Sequence, residues 1–74
     1  MTSIEFKNTK TGLTRFFEDV ATIKVHNGQQ TVEEFDVKSV IFDYKNGQTF
    51  EILSDNGKLT TSLSKGWMPQ RAWD

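Results

Sequence analysis

The stretch Val40-Ile41-Phe42-Asp43-Tyr44-Lys45-Asn46-Gly47-Gln48-Thr49-Phe50-Glu51-Ile52-Leu53-Ser54-Asp55-Asn56-Gly57-Lys58-Leu59-Thr60-Thr61-Ser62-Leu63 holds two Asn-Gly pairs, each flanked by runs that alternate apolar and polar residues. A tight reversal needs positive φ, which glycine adopts without a Cβ clash and asparagine tolerates, so Asn-Gly between alternating runs predicts a hairpin. At Asn46-Gly47 a strict two-residue loop would set Phe42 against Glu51. A three-residue loop, Lys45-Asn46-Gly47, with Gly47 as the left-handed residue of a bulge, pairs Phe42 with Phe50 and Val40 with Ile52. That register gathers the apolar side chains on one face and is preferred, because a one-residue slip would scatter them. At Asn56-Gly57 a two-residue loop sets Ser54 against Leu59, Ile52 against Thr61 and Phe50 against Leu63. The expectation is a three-stranded meander over residues 39–63.

Upstream, Ala21-Thr22-Ile23-Lys24-Val25-His26 alternates cleanly, with Ala21, Ile23 and Val25 on one face. A third pair, Asn27-Gly28, then reverses the chain, and a two-residue loop there would pair Ile23 with Val32. Thr31-Val32-Glu33-Glu34 has the spacing of a capping box, so a helical turn through Phe35 and an irregular strand are both open. Ile4 and Phe6 alternate with Ser3, Glu5 and Lys7 as a strand, and Asn8 to Gly12 is a turn by composition. Leu13, Phe16, Phe17 and Val20 fit a helix face, but they also fit a strand with a bulge near Glu18-Asp19, where the inward parity switches from even to odd. The strand is favoured, since Thr, Arg and Phe in combination are weak helix formers.

The sum is an all-β or mainly β chain: a small antiparallel meander or open barrel of five or six strands, SH3-like or OB-like, with one short helical turn as an option. Seventy-four residues make a single β domain, residues 1–74, with 64–74 as a Trp-containing C-terminal tail. There is no cysteine, so neither disulfides nor Cys-based zinc motifs hold it, and packing alone must do so. A chain this short buries about 60–65% of its unfolded surface, which places its stability at the low end of about 5–15 kcal/mol. The formal net charge of −1 and the interspersed lysines and carboxylates provide no basic footprint for duplex DNA. No signal-peptide pattern, membrane-length apolar run or N-glycosylation site occurs, and the expectation is a cytoplasmic location without membrane association.

The tail Ser64-Lys65-Gly66-Trp67-Met68-Pro69-Gln70-Arg71-Ala72-Trp73-Asp74 holds both tryptophans. Lys65-Gly66 breaks the last strand, and Pro69 cannot donate a ladder hydrogen bond. Trp and Arg are enriched at binding hot spots and Met suits adaptable contacts, so Trp67, Met68, Arg71 and Trp73, with Tyr44, form the candidate partner-binding set. The competing reading is a plug: a terminal Trp folded back on a small core adds about 1.5–3 kcal/mol of burial.

Catalytic candidates are sparse. His26 is the sole histidine, beside a turn, without a sequence-local carboxylate to orient it, and reads as a solvated turn residue. Glu33, Glu34 and Asp36 match no EF-hand loop and read as a solvated acidic rim. No GxGxxG, Walker, GxSxG or HExxH pattern is present. The expectation is a non-enzymatic protein-binding module of regulator or inhibitor type, without cofactor or metal. It would act through the Trp segment or an exposed sheet edge, on a protein partner or a second copy of itself. Two alternatives stand beside it. One is a single-stranded nucleic-acid binder in which Tyr44, Trp67 and Trp73 converge with Lys45, Lys65 and Arg71 to stack bases. The other is a small structural subunit of a larger assembly.

Overall fold

The computed structural model describes residues 2–28, 31–45 and 47–74, with Thr31 described by its backbone alone. In chain order the elements are β1 (Thr2–Asn8), β2 (Thr14–Asn27), β3 (Thr31–Asp36), α1 (Val40–Asp43), β4 (Thr49–Ser54), β5 (Leu59–Leu63) and β6 (Trp67–Trp73). Their pairing is antiparallel throughout, in the order β5-β4-β2-β1-β6, with β3 also on β2. The chain is therefore a mainly β fold, one open sheet with one helical turn among the described residues.

β2 organises this sheet because its two halves have different neighbours. Residues 14–20 pair with β1, while residues 22–27 pair with β3 on one side and residues 20–26 with β4 on the other. Val20 pairs with both Thr2 and Ser54, which places β1 and β4 on opposite sides of β2 and β3 on the same side as β1. Between the halves, Asp19 takes φ 56, and Glu18 and Asp19 bulge opposite Ser3. Of the Leu13–Val20 segment, residues 14–20 are thus strand, with an irregularity at Glu18-Asp19, although Phe17 and not Phe16 turns inward. Such a bulge bends the strand and increases local twist, so one long strand can serve two half-sheets.

Residues 39–63 are not a meander. Val40–Asp43 forms a helical turn, with Phe42 N and Asp43 N donating to Ser39 O at 3.0 and 3.2 Å. The reason lies in the spacing of a neighbouring set. Val37 and Val40 are buried and Ile41 and Tyr44 pack on the core, which is an i, i+3, i+4, i+7 pattern. Phe42, the residue the hairpin register would bury, is 87% exposed. β4 pairs instead with β2, Ile23 opposite Ile52 and Val25 opposite Phe50. Asn46 lies outside the described residues; the chain around Gly47, at φ 87, leads from α1 into β4.

The other two Asn-Gly sites do reverse the chain. At Asn56-Gly57 the expected pairs Ile52–Thr61 and Phe50–Leu63 are present. Nearer the turn, Leu53 faces Leu59 and Ser54 N bonds Lys58 O at 3.0 Å, so Thr60 is bulged and the loop spans 55–57. At Asn27-Gly28 the register is three residues further on than a two-residue loop allows: Ile23 faces Phe35, and Val32 faces His26. This shift reverses parity, turning Phe35 onto the core and leaving Val32 56% exposed. Gln29 and Gln30 lie outside the described residues. Thr31–Asp36 is a strand, and the helical turn comes later, in α1.

The inner face carries Ile4 and Phe6 from β1, Val20, Ile23 and Val25 from β2, Phe50 and Ile52 from β4, and Leu63 from β5. Val37 and Val40 close over it. Phe6 contacts Phe17 edge-on at 6.2 Å and Phe50 at 5.1 Å between ring centres, so the core is aromatic at its middle. Gln48 is the buried polar side chain among the described residues; its Nε2 donates to Asn27 Oδ1 and its Oε1 accepts from Lys45 N.

Candidate functional site

Residues 64–74 do not trail from the domain; they contain β6, which runs antiparallel to β1 along the sheet margin. The turn preceding it is tied down by Thr9, whose N and Oγ1 both donate to Gly66 O, at 2.8 and 3.1 Å. The last residue is held too: Asp74 accepts from Lys38 Nζ at 2.7 Å and from Thr2 Oγ1 at 3.1 Å. These partners hold the Asp74 carboxyl below the usual aspartate value, the Lys38 hydrogen bond contributing most, then that from Thr2 and the nearby Lys38 charge.

A bulge in β6 decides where the tryptophans point. Glu5 faces Arg71, but Phe6 faces Pro69, leaving Gln70 as the extra residue. Trp67 and Trp73 have the same parity in sequence, yet Trp67 lies opposite Asn8 on the inner face and Trp73 opposite Ser3 on the outer one. Trp67 packs against the core, and the Arg15 guanidinium lies 6.0 Å from its ring and 5.2 Å from that of Phe17. The plug reading thus describes Trp67, with the Arg15 guanidinium near its ring.

Trp73, Arg71 and Met68 share the outer face with Ser3, Glu5 and Lys7 of β1 and Phe16 of β2. Arg71 Nε donates to Glu5 Oε1 at 3.2 Å, and its guanidinium lies 4.8 Å from the Trp73 ring centre. Glu5 is directly flanked by Phe16 on its other side. Phe16 is 61% exposed and Trp73 37%, so two large apolar side chains frame an ion pair on one open face.

Tyr44 belongs elsewhere. Its ring stacks on Phe50 at 6.0 Å and packs on the core, so it leaves the candidate set. With Tyr44 in the core, Trp67 inside and Trp73 outside, the three aromatics do not form a common stacking surface.

His26 has company that its local sequence does not disclose. Its Nε2 lies 2.7 Å from Glu51 Oε2 on β4, and both side chains are about one-third exposed. They border an open groove of about 410 Å³ that also runs past Thr49 and Ser62. Among the described residues no serine or threonine of this groove is hydrogen-bonded to the histidine, and no group of three His, Asp or Glu is gathered as a metal ion needs. The pair bridges the neighbouring strands β2 and β4.

No family model, curated protein or solved structure matches this chain. Function must be read from its own surfaces. Among the described residues no helix is long and apolar enough to cross a membrane.

Proposed function

We propose that this chain is a non-enzymatic protein-binding module whose contact surface is the outer face of β6, β1 and the first half of β2. The observation that supports it is the placement of Phe16 and Trp73 on one open face, on either side of the Glu5–Arg71 pair. Exposed aromatics beside a desolvatable Arg are the residue types that dominate binding energy at protein interfaces. Met68, half-buried on the same face, adds an adaptable apolar contact. The face is nearly neutral, with Glu5 and Arg71 mutually paired, so shape and apolar area rather than charge would select the partner.

The partner is another protein or a second copy of this chain, and sedimentation of the pure protein separates the two. The decisive variants are Trp73→Ala and Phe16→Ser, compared with the unaltered chain by cross-linking capture in the native cell and by sedimentation. The expected result is a loss of one specific association of at least about tenfold, the size of a modest hot spot, with the thermal midpoint within a few degrees. Unchanged association, or collapse of the fold in both variants, would refute the reading.

A further inference from the structure

The sheet has several open margins, and they differ in how they are guarded. β5 is short and bulged at Thr60; β6 is bulged at Gln70 and contains Pro69; the open side of the first half of β2 ends at the Asp19 kink. Bulges, prolines and brevity are the devices by which edge strands avoid further pairing. β3, at six residues, has neither bulge nor proline. All six of its residues pair with β2 in unbroken register, from Asn27–Thr31 to Thr22–Asp36, and among the described residues no strand covers its other side. Alternate residues of an antiparallel strand turn their N–H and C=O groups away from the neighbour, so this margin presents a row of donors and acceptors that ends at Asp36, whose carbonyl accepts from Ser39 N at 3.0 Å.

What guards it is charge. Glu33, Glu34 and Asp36 are exposed, and none is in an ion pair among the described residues. On the adjacent strand the basic groups are Lys24, opposite Glu34, and His26, which Glu51 engages. Three carboxylates in six residues repel a second copy of β3 and favour a strand of opposite sign. Glu34 and Asp36 share the outer face with Val32, which adds an exposed apolar position to the same row.

We propose that the open edge of β3 takes up a basic, extended peptide segment as an additional strand, through backbone pairing with alternate Lys or Arg side chains opposite Glu34 and Asp36 and an apolar side chain opposite Val32. This site is separate from the Trp73 face and does not depend on it. β-Augmentation of this kind draws affinity from the backbone and specificity from alternate side chains. An antiparallel addition requires the order basic-x-basic-x-apolar.

The test is an amide chemical-shift titration of the full chain with the peptide Lys-Thr-Lys-Thr-Val. Its controls are the same peptide N-methylated along the backbone and a Glu-Thr-Glu-Thr-Val analogue. Shifts concentrated on residues 32–36, lost on N-methylation and absent with the acidic peptide, are the expected result. The double variant Glu34→Gln with Asp36→Asn should weaken binding roughly tenfold, as two exposed charge pairs allow, and Trp73→Ala should leave it unchanged. Equal binding of the N-methylated peptide would reduce the effect to surface electrostatics and overturn the proposal, as would shifts centred on the Trp73 face or none at millimolar peptide. Failure here with Trp73-dependent association intact would sink this inference alone.

Discussion

Replacing Val40 by Ala and Phe42 by Ser separates the helical turn from the hairpin that the same residues suggest. Val40 is fully buried under the sheet, whereas Phe42 is 87% exposed. Val40→Ala removes two buried carbons, about 0.8 kcal/mol each, and the cavity left behind raises the loss to roughly 2 kcal/mol. In a domain of this size each kcal/mol moves the midpoint by about 4–8 °C, so Val40→Ala should melt roughly 10–15 °C lower. Phe42→Ser should stay within about 0.5 kcal/mol, as for other surface changes. Were Phe42 instead paired with Phe50 in the core, its truncation would cost about 3–5 kcal/mol. Urea unfolding followed by the fluorescence of Trp67, which packs on the core, reads both variants, with an unchanged slope confirming that only stability moved. A Phe42→Ser loss equal to or above that of Val40→Ala would refute the packing argument.

The kink in β2 gives a second test: Asp19→Val places a β-branched side chain at φ 56 and should cost about 1–2 kcal/mol, while Asp19→Gly should be neutral or slightly stabilising. Equal effects in thermal melts would show that the kink is unstrained. Asp74 gives a third. Because its folded carboxyl sits below the ordinary aspartate value, its contribution is complete above that value and is lost as pH falls through the lower, folded one. The Asp74 carboxyl titration, followed by NMR, should therefore have a low midpoint that rises toward normal in Lys38→Ala; an unmoved midpoint would contradict the 2.7 Å contact.

The mainly β class, the strand character of residues 14–26 with an irregularity at Glu18-Asp19, and the Phe50–Leu63 register were all legible locally. Alternation and glycine turn chemistry act over a few residues, and a wrong parity would put charges in the core. Residues 37–44 were not legible because they satisfy two periods at once. Val40, Phe42 and Tyr44 alternate like a strand, while Val37, Val40, Ile41 and Tyr44 repeat like a helix. What resolved the tie was Ile23 and Val25 occupying the edge of β4 that Val40 and Phe42 would have used.

The candidate site divides in the same way. Composition alone singled out Trp67, Met68, Arg71 and Trp73, but the extra residue Gln70 sends Trp67 inward and Trp73 outward. Glu5 and Phe16, which complete the outer face, come from strands 66 and 57 residues away from Arg71 and Trp73 respectively, by 71 − 5 and 73 − 16. His26 found Glu51 across 25 residues in the same manner. That this chain reverses often and alternates follows from its residues read locally, because dihedral preference and side-chain period are local properties. Which strands become neighbours, and so which side chains meet, was decided only by the folded sheet, because long-range pairing is a competition among many near-equal alternating runs that burial of the whole core settles at once.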